Sequence, residues 1–127
     1  MSRLAAYLAL WPVLAVIGVA NGILREATFG PHLTEIHAHQ LSTLLLMALC
    51  AIAVWLFARR EAPLSFEEAL TVGLAWLVLT VAFEFTFGRL VAGHSWHHLL
   101  QNYDLANGRL WPLFLGWLAL LPWLMGR

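Results

Sequence analysis

Four long apolar stretches, separated by polar connections, dominate the pattern along the chain. The charge-free runs cover residues 4–20, 41–58, 69–83 and 110–125. Each approaches the roughly 20 residues that a helix needs to cross a bilayer, once its flanking interfacial residues are included. The runs lack the alternation of a membrane β-barrel strand, and a backbone in lipid must bond to itself. We therefore predict an all-α fold, an integral membrane four-helix bundle that forms a single domain over residues 1–127.

The polar connections between these runs differ in length. The connection at residues 59–68 predicts a tight hairpin, in which Ser65 and Glu68 have the spacing of a capping box for the third helix. The other two, residues 21–40 and 88–108, are longer than a turn requires. Four crossings place these two longer loops on one face of the bundle, which we call the histidine side because all six histidines lie in the loops. They are His32, His37, His39, His94, His97 and His98.

Capping residues predict where helices begin within both longer loops. Thr34 is a capping residue for the second helix, and a helix that begins there would place Glu35 and His39 on one face. In the second loop, Ser95 is positioned to cap a short helix that lies on the membrane surface with its apolar side chains downward. Loops of this length over a small bundle are typical of functional segments.

Arginine placement predicts the orientation, because the chain contains no lysine. On the side of the termini lie Arg3, Arg59, Arg60 and Arg127, and on the histidine side lie Arg25, Arg89 and Arg109. The adjacent Arg59 and Arg60 occupy a short connection, as retained cytoplasmic arginines usually do. We therefore predict a bacterial inner-membrane protein with both termini cytoplasmic. The first apolar run is long enough to cross, so we interpret it as a span rather than as a cleaved signal peptide.

Composition supports the membrane interpretation. Hydrophobic residues make up 61% of the chain and charged residues 11%, whereas soluble domains average about 45–50% and about 25%. The formal net charge of +0 gives no argument for nucleic acid as a partner. Cys50 is the single cysteine, so no intramolecular disulfide is expected.

Glu84 is the acidic residue that lies deepest in the predicted membrane. Counted from Phe66 at about 1.5 Å per residue, it lies about 27 Å along a helix that crosses about 30 Å of hydrocarbon. A carboxylate at that depth needs a proton or a partner. Arg89 falls on another face of the same helix, so we expect the cation to be Arg25 or Arg109. Such a pair would either hold helices together or belong to a binding or proton-handling site.

We predict that the polar residues of the histidine side form one pocket. Asn21 and Arg25 are spaced to share a helical face and, with Arg109, would bind an anionic group such as a carboxylate or phosphate. Contact with lipid headgroups alone is the alternative interpretation. The candidate pocket residues are Asn21, Arg25, Glu26, His39, Glu84, Arg89, His94, Tyr103, Asp104 and Arg109.

The histidines suggest a metal site as one interpretation. In the string HSWHH at residues 94–98, a helix would bring His94 and His98 to one face, where with His39 they would bind a transition metal, namely zinc, iron or copper. The string resembles one histidine box of the membrane fatty-acid desaturases and hydroxylases, which draw on several boxes, and only one occurs here. A b-type haem between His39 and His94 is a further alternative. Solvated interfacial histidines are the simplest interpretation.

The sequence leaves several functions open. Because no ligand set is complete, we favour a binding or accessory subunit that holds a lipid, a quinone or a membrane complex. The alternatives are a metal-assisted enzyme that acts on a lipid-like substrate, with His94 and His39 as ligands or bases, and a small transporter or b-type cytochrome. The expected partners are membrane lipids, other membrane subunits or a second copy of the chain. Phosphate-loop, nucleophile-elbow and His-Glu-x-x-His motifs do not occur in the sequence.

Overall fold

The chain is all-helical over the residues that a computed structural model describes. These are residues 3–91, 93–101, 103 and 109–126, with the backbone alone at residues 98, 99 and 101. The elements are α1 (Arg3–Ala27), a 3₁₀ turn (Gly30–His32), α2 (Glu35–Ala58), α3 (Phe66–Thr86) with a π-helical extension (Phe87–Val91), α4 (Trp96–Gln101) and α5 (Trp111–Gly126).

Two predicted helix starts are confirmed by their capping contacts. Thr34 precedes α2, and its hydroxyl accepts a hydrogen bond from the backbone N–H of His37. Ser65 precedes α3, and its side chain and that of Glu68 each bond to the other's backbone N–H. These caps satisfy N–H groups that have no partner within the first turn of a helix. Both helices therefore begin at a defined residue.

The two connections predicted as long loops are shorter in the structure. Helix α1 continues through Asn21 and Arg25 to Ala27, and α2 begins at Glu35, so only residues 28–34 separate them. The second connection likewise begins with helical backbone as far as Val91. The prediction was wrong here because polar side chains do not end a helix, and each added residue contributes another backbone hydrogen bond.

Among the described residues, three helices are long and apolar enough to cross a membrane, namely α1, α2 and α3 with its π-helical extension. Helix α5 is apolar but has 16 residues. At about 1.5 Å per residue it is about 24 Å long, less than the roughly 30 Å of a hydrocarbon core. Pro112 lies in its first turn, where the missing N–H costs nothing, so the helix begins beside this proline.

Helices α1 and α3 run in the same direction. The indole N–H of Trp76 donates to the carbonyl oxygen of Tyr7 at 3.0 Å, and that of Trp11 donates to the hydroxyl of Thr80 at 3.0 Å. Moving from Tyr7 to Trp11 along α1 thus corresponds to moving from Trp76 to Thr80 along α3. Tyr7 and Trp76 are both completely buried, so this contact lies in the core.

Helix α5 runs antiparallel to α3 along its whole length. The backbone N–H of Leu64, just before α3, donates to the carbonyl oxygen of Gly126 at 2.7 Å. Near the other end of α3, the indole of Trp111 donates to Glu84 at 2.7 Å. The start of α1 and the end of α5 therefore lie at one end of the molecule, and the ends of α1 and α3 lie at the other.

A close backbone approach holds α3 against α5. A β-carbon at Gly73 would overlap the carbonyl oxygen of Ala119. Only glycine leaves the space for that approach. The molecule is therefore tightly packed near its middle and near the termini, and the space between the helices lies toward the histidine side.

Candidate functional site

A cavity of about 380 Å³ lies between α1, α2, α3 and α5. Along α1 its lining extends from Trp11 to Arg25, and along α2 from Cys50 to Glu35. Each interval corresponds to about 20 Å of helix at about 1.5 Å per residue. The cavity therefore extends from the middle of the molecule to its histidine side, and its volume falls in the usual range of small-molecule sites.

The inner end of the cavity, near the middle of the molecule, is apolar. Buried side chains from three helices line it, namely Leu14, Leu46, Cys50, Phe114 and Leu118. Trp11 also lines the cavity and keeps its indole N–H bonded to Thr80. A surface of this kind accommodates hydrocarbon and offers little to a polar group.

The outer end carries a chain of hydrogen bonds between α1 and α2. Arg25 Nη1 donates to the hydroxyl of Ser42 at 3.3 Å, and that hydroxyl donates to Oδ1 of Asn21. Asn21 and Ser42 are only 5% and 2% exposed. The amide nitrogen of Asn21 is buried and meets no acceptor among the described residues. Such a group is uncommon, because buried polar atoms normally have a partner.

Arg109 and Glu35 form a second polar cluster at the outer end. Arg109 donates to the two carboxylate oxygens of Glu35 at 3.0 and 2.8 Å, the bidentate geometry that suits guanidinium and carboxylate. His39 Nε2 lies 3.6 Å from Oε1 of Glu35, and the hydroxyl of Thr43 donates to the carbonyl oxygen of His39. Glu35 and His39 share the face of α2 that lines the cavity, as the sequence predicted.

Glu84 holds the third polar cluster together. Its Oε2 accepts hydrogen bonds from the hydroxyl of Tyr103 at 2.7 Å and from the indole of Trp111 at 2.7 Å. The ring of Tyr103 stacks on Phe85, with centroids 5.9 Å apart. Burial, followed by the hydrogen bond to Glu84 and its charge, raises the pKa of Tyr103 above its usual range. The phenol therefore stays protonated as a donor.

The two arginines expected beside Glu84 form their described ion pairs elsewhere. Arg25 Nε lies 3.1 Å from the carboxylate of Glu26, and Arg109 pairs with Glu35. Both acidic partners are largely exposed, with 71% and 64% of the side chain accessible. A guanidinium beside such an exposed carboxylate loses less hydration than it would beside the partly buried Glu84.

The cavity collects six of the ten residues that the sequence predicted for one pocket. These are Asn21, Arg25, His39, Glu84, His94 and Arg109. Tyr103 does not line the cavity, but its hydroxyl donates to the carboxylate of Glu84, which does. Glu26 borders an adjacent groove, and Arg89 donates to the carbonyl oxygen of His94 at 3.0 Å. Asp104 lies outside the described residues.

The metal prediction is only partly covered by the described residues. His39 and His94 both line the cavity. Among the residues with described side chains, no group of three histidine, cysteine or acidic residues could hold a metal ion. The side chain of His98, the third predicted ligand, is not described. The zinc, iron or copper site and the haem alternative therefore stay predictions.

Sequence reasoning placed Thr43 on the helix face of His39 and Glu35, but it missed two other hydroxyl residues inside the apolar runs. Ser42 and Thr80 both line the cavity, although each lies in a run that was treated as uniform. For Ser42 the spacing was the available signal, since it follows His39 by three residues and so shares its side of a helix.

A shallow groove adjoins the cavity on the outside of α1. The two share Gly18, Val19, Gly22, Arg25 and Phe87 as lining residues. A β-carbon at Gly18 would meet no atom within 4 Å. We call this place, bounded by Gly18, Gly22 and Phe87, the side opening.

No known protein family, curated protein or solved structure matches the chain.

Proposed function

We propose that this chain is an integral membrane protein of the bacterial inner membrane, a four-helix bundle that binds a lipid-like amphiphile in its cavity. The hydrocarbon part of the ligand lies at the apolar inner end, and its polar part lies at the outer end. Such a protein holds a lipid or quinone by itself or as an accessory subunit of a membrane complex. In the orientation predicted from the arginines, the outer end faces the periplasm.

The exposed surface supports the membrane part of this proposal. Large apolar side chains on the three long helices are open to the surroundings, such as Val16 at 67%, Val78 at 65% and Ile52 at 55%. In water, so much exposed apolar surface would promote association, whereas lipid solvates it. Helices α2 and α3 are apolar around most of their circumference, as membrane spans are.

The contacts of α5 support a fourth crossing. This helix accompanies α3 from Leu64 to Glu84, so it extends through the same thickness as its neighbour. Trp111 and Trp123 lie near its two ends, where indole rings suit the headgroup region. A short helix is accommodated by local thinning of the bilayer at modest cost.

The observation that carries the binding function is the division of one cavity into an apolar and a polar end. Buried aliphatic and aromatic residues line about half of its length, and three hydrogen-bonded clusters line the rest. Binding sites combine an apolar lining with a few polar groups that fix the orientation of the ligand. An amphiphile matches this arrangement better than a wholly polar or wholly apolar molecule.

Tryptophan quenching tests the proposal directly. Trp11 and Trp111 line the cavity, so a fatty alcohol with a bromine at the end of its alkyl chain quenches their fluorescence when it binds. Ala15→Phe fills the cavity wall, whereas Ala20→Phe adds the same ring to the exposed face of the same helix. We expect saturable quenching in the wild-type protein and in A20F, and none in A15F. Quenching that never saturates, or that A15F and A20F reduce equally, would contradict the proposal.

A further inference from the structure

We infer that the amphiphile carries an uncharged carbonyl acceptor, either a quinone ring oxygen or an acyl ester, and that the side-chain amide of Asn21 donates to it. The inference rests on the proposed function and specifies the ligand class of the same cavity. It excludes phosphate-bearing headgroups as the preferred ligands. Two independent observations lead to it, one about hydrogen bonding and the other about charge.

The hydrogen bonding concerns Asn21. Its oxygen is committed to Ser42, whose hydroxyl in turn accepts from Arg25, which can only donate. This chain fixes the side chain of Asn21 and leaves its NH₂ group as the remaining donor. That group is buried, has no acceptor among the described residues, and belongs to a side chain that lines the cavity. A buried donor without an acceptor is unfavourable, so an acceptor supplied by a ligand gains more here than at a solvated site.

The charges at the outer end oppose an anion. The two arginines of the lining already pair with carboxylates, Arg25 with Glu26 and Arg109 with Glu35. Glu84 adds a further acidic group to the same lining. The described arginine and acidic side chains at this end therefore supply no excess of positive charge. A phosphate would lose its hydration without gaining an unpaired cation, whereas a carbonyl needs only a donor.

The position of Asn21 suits a ligand with a hydrocarbon tail. Asn21 lies seven residues along α1 from Leu14, which is about 10 Å of helix. Leu14 belongs to the apolar inner end, and Gly18 and Ala15 line the wall between the two positions. A carbonyl held by Asn21 therefore leaves room for an alkyl chain that extends inward.

Competition against the brominated alcohol tests the ligand class with four probes of equal chain length: decyl-substituted benzoquinone, decyl acetate, decyl phosphate and decane. We expect the quinone, the ester or both to displace the alcohol at concentrations about tenfold lower than decane or the phosphate, the size of effect of one well-formed hydrogen bond. The ranking of quinone against ester identifies the source of the carbonyl. Stronger displacement by the phosphate, or equal displacement by all four, would overturn the inference.

Nuclear magnetic resonance of protein labelled with ¹⁵N-asparagine reports on the donor itself. The side-chain amide signal of Asn21 is assigned by its loss in Asn21→Asp, which keeps the oxygen that accepts from Ser42 and removes the donor. We expect the signal to shift with the carbonyl probes and not with decane. In Asn21→Asp and in the uncharged Asn21→Leu, the tenfold preference for the carbonyl probes over decane should disappear.

The outcomes separate this inference from the proposed function. Suppose that quenching is saturable in the wild-type protein and absent in A15F, but that the carbonyl probes displace the alcohol no better than decane or decyl phosphate. The cavity then binds amphiphiles, and the inference about Asn21 is wrong. If no probe binds saturably, the proposed function fails first. An unchanged carbonyl preference in both Asn21 variants would likewise overturn the role of the amide.

Discussion

At the residue scale, Glu84 shows how a partly buried carboxylate accepts hydrogen bonds from two neutral donors. Both described hydrogen bonds to its Oε2 come from aromatic side chains, namely Trp111 on α5 and Tyr103 in the segment before α5. Glu84 therefore ties α3 to the segment that leads into α5. Charge-assisted hydrogen bonds of this length are roughly twice as strong as neutral ones.

We predict that Glu84→Gln lowers the free energy of unfolding by about 1–2 kcal/mol, because neutral hydrogen bonds replace charge-assisted ones. Thermal unfolding in detergent measures the change. Tyr103→Phe, which removes one of the two donors, should cost less than Glu84→Gln. Wild-type stability in Glu84→Gln would show that these bonds contribute nothing to the fold.

The same contact predicts the titration of Tyr103. Its pKa is raised, so its contribution to stability is fully present below the ordinary phenol pKa of about 10 and is lost as the pH rises through the value in the folded protein. In Glu84→Gln the charge is gone, and we expect Tyr103 to ionise at lower pH than in the wild type. Absorbance at alkaline pH, with Tyr103→Phe as the reference, follows the phenolate. An unchanged titration would contradict this assignment.

Individual site residues were predictable where their position in the membrane pattern was unusual. Glu84 was identified because a carboxylate inside a membrane span needs a partner or a proton, and Arg25 because it shares a helical face with Asn21 at the end of the first span. Ser42 was not, since a hydroxyl inside an apolar run is unremarkable until its neighbour on another helix is known. The sequence also did not show which carboxylate each arginine pairs with, because that depends on distances between helices.

At the element scale, the α3–α5 contact depends on a single glycine. A β-carbon at Gly73 would overlap backbone atoms of Ala119 on α5. Backbone within a helix cannot move aside as the end of a flexible side chain can. By contrast, a β-carbon at Gly116 on α5 would meet nothing within 4 Å. The two glycines are therefore a matched pair.

We predict that Gly73→Ala destabilises the protein by about 2 kcal/mol or more, in the range of overpacked cores, while Gly116→Ala is neutral or slightly stabilising. Unfolding of each variant in the same detergent measures the difference. Equal stabilities would show that α3 and α5 are not in close backbone contact.

The side opening gives a second prediction at this scale. Gly18→Leu places a side chain where no atom lies within 4 Å of the β-carbon, so the fold should be kept. If ligands enter from the bilayer between α1 and Phe87, the leucine should slow association of the brominated alcohol about tenfold or more by requiring the helices to separate. Stopped-flow fluorescence measures the rate, and Gly116→Leu is the control. Equal rates would place the entrance elsewhere.

The elements themselves were largely predictable, since long apolar runs and two capping signals fixed α2 and α3 within a few residues. The lengths of the loops were not. The first connection was placed at residues 21–40, whereas α1 continues to Ala27 and α2 begins at Glu35, and the π-helical extension after Thr86 has no signature in the sequence. The fourth apolar run, residues 110–125, matches α5 at Trp111–Gly126 to within one residue at each end.

At the scale of the whole molecule, the structure places both termini of the helical core at one end and the cavity at the other. The pairings of α1 with α3 and of α3 with α5 fix this arrangement. It follows for a membrane protein of four crossings that Leu33 and His97 lie on the same side, and Glu61 on the opposite side.

We predict this sidedness from labelling of single cysteines in a Cys50→Ala background. Leu33→Cys and His97→Cys should react with a membrane-impermeant reagent from one side, and Glu61→Cys only from the other. In intact bacterial cells the first two should react, given the predicted orientation. Reaction of Leu33→Cys and His97→Cys from opposite sides would refute the four-crossing topology.

Photolabelling tests most directly whether the cavity binds amphiphiles. A decyl ester with a diazirine at the end of its chain, activated in the membrane-embedded protein, should attach to residues of the apolar inner end, such as Leu14, Leu46 and Phe114. Excess decyl acetate should suppress that labelling. Attachment only to outward-facing residues such as Val16, Leu70 and Leu113, undiminished by the competitor, would contradict the account.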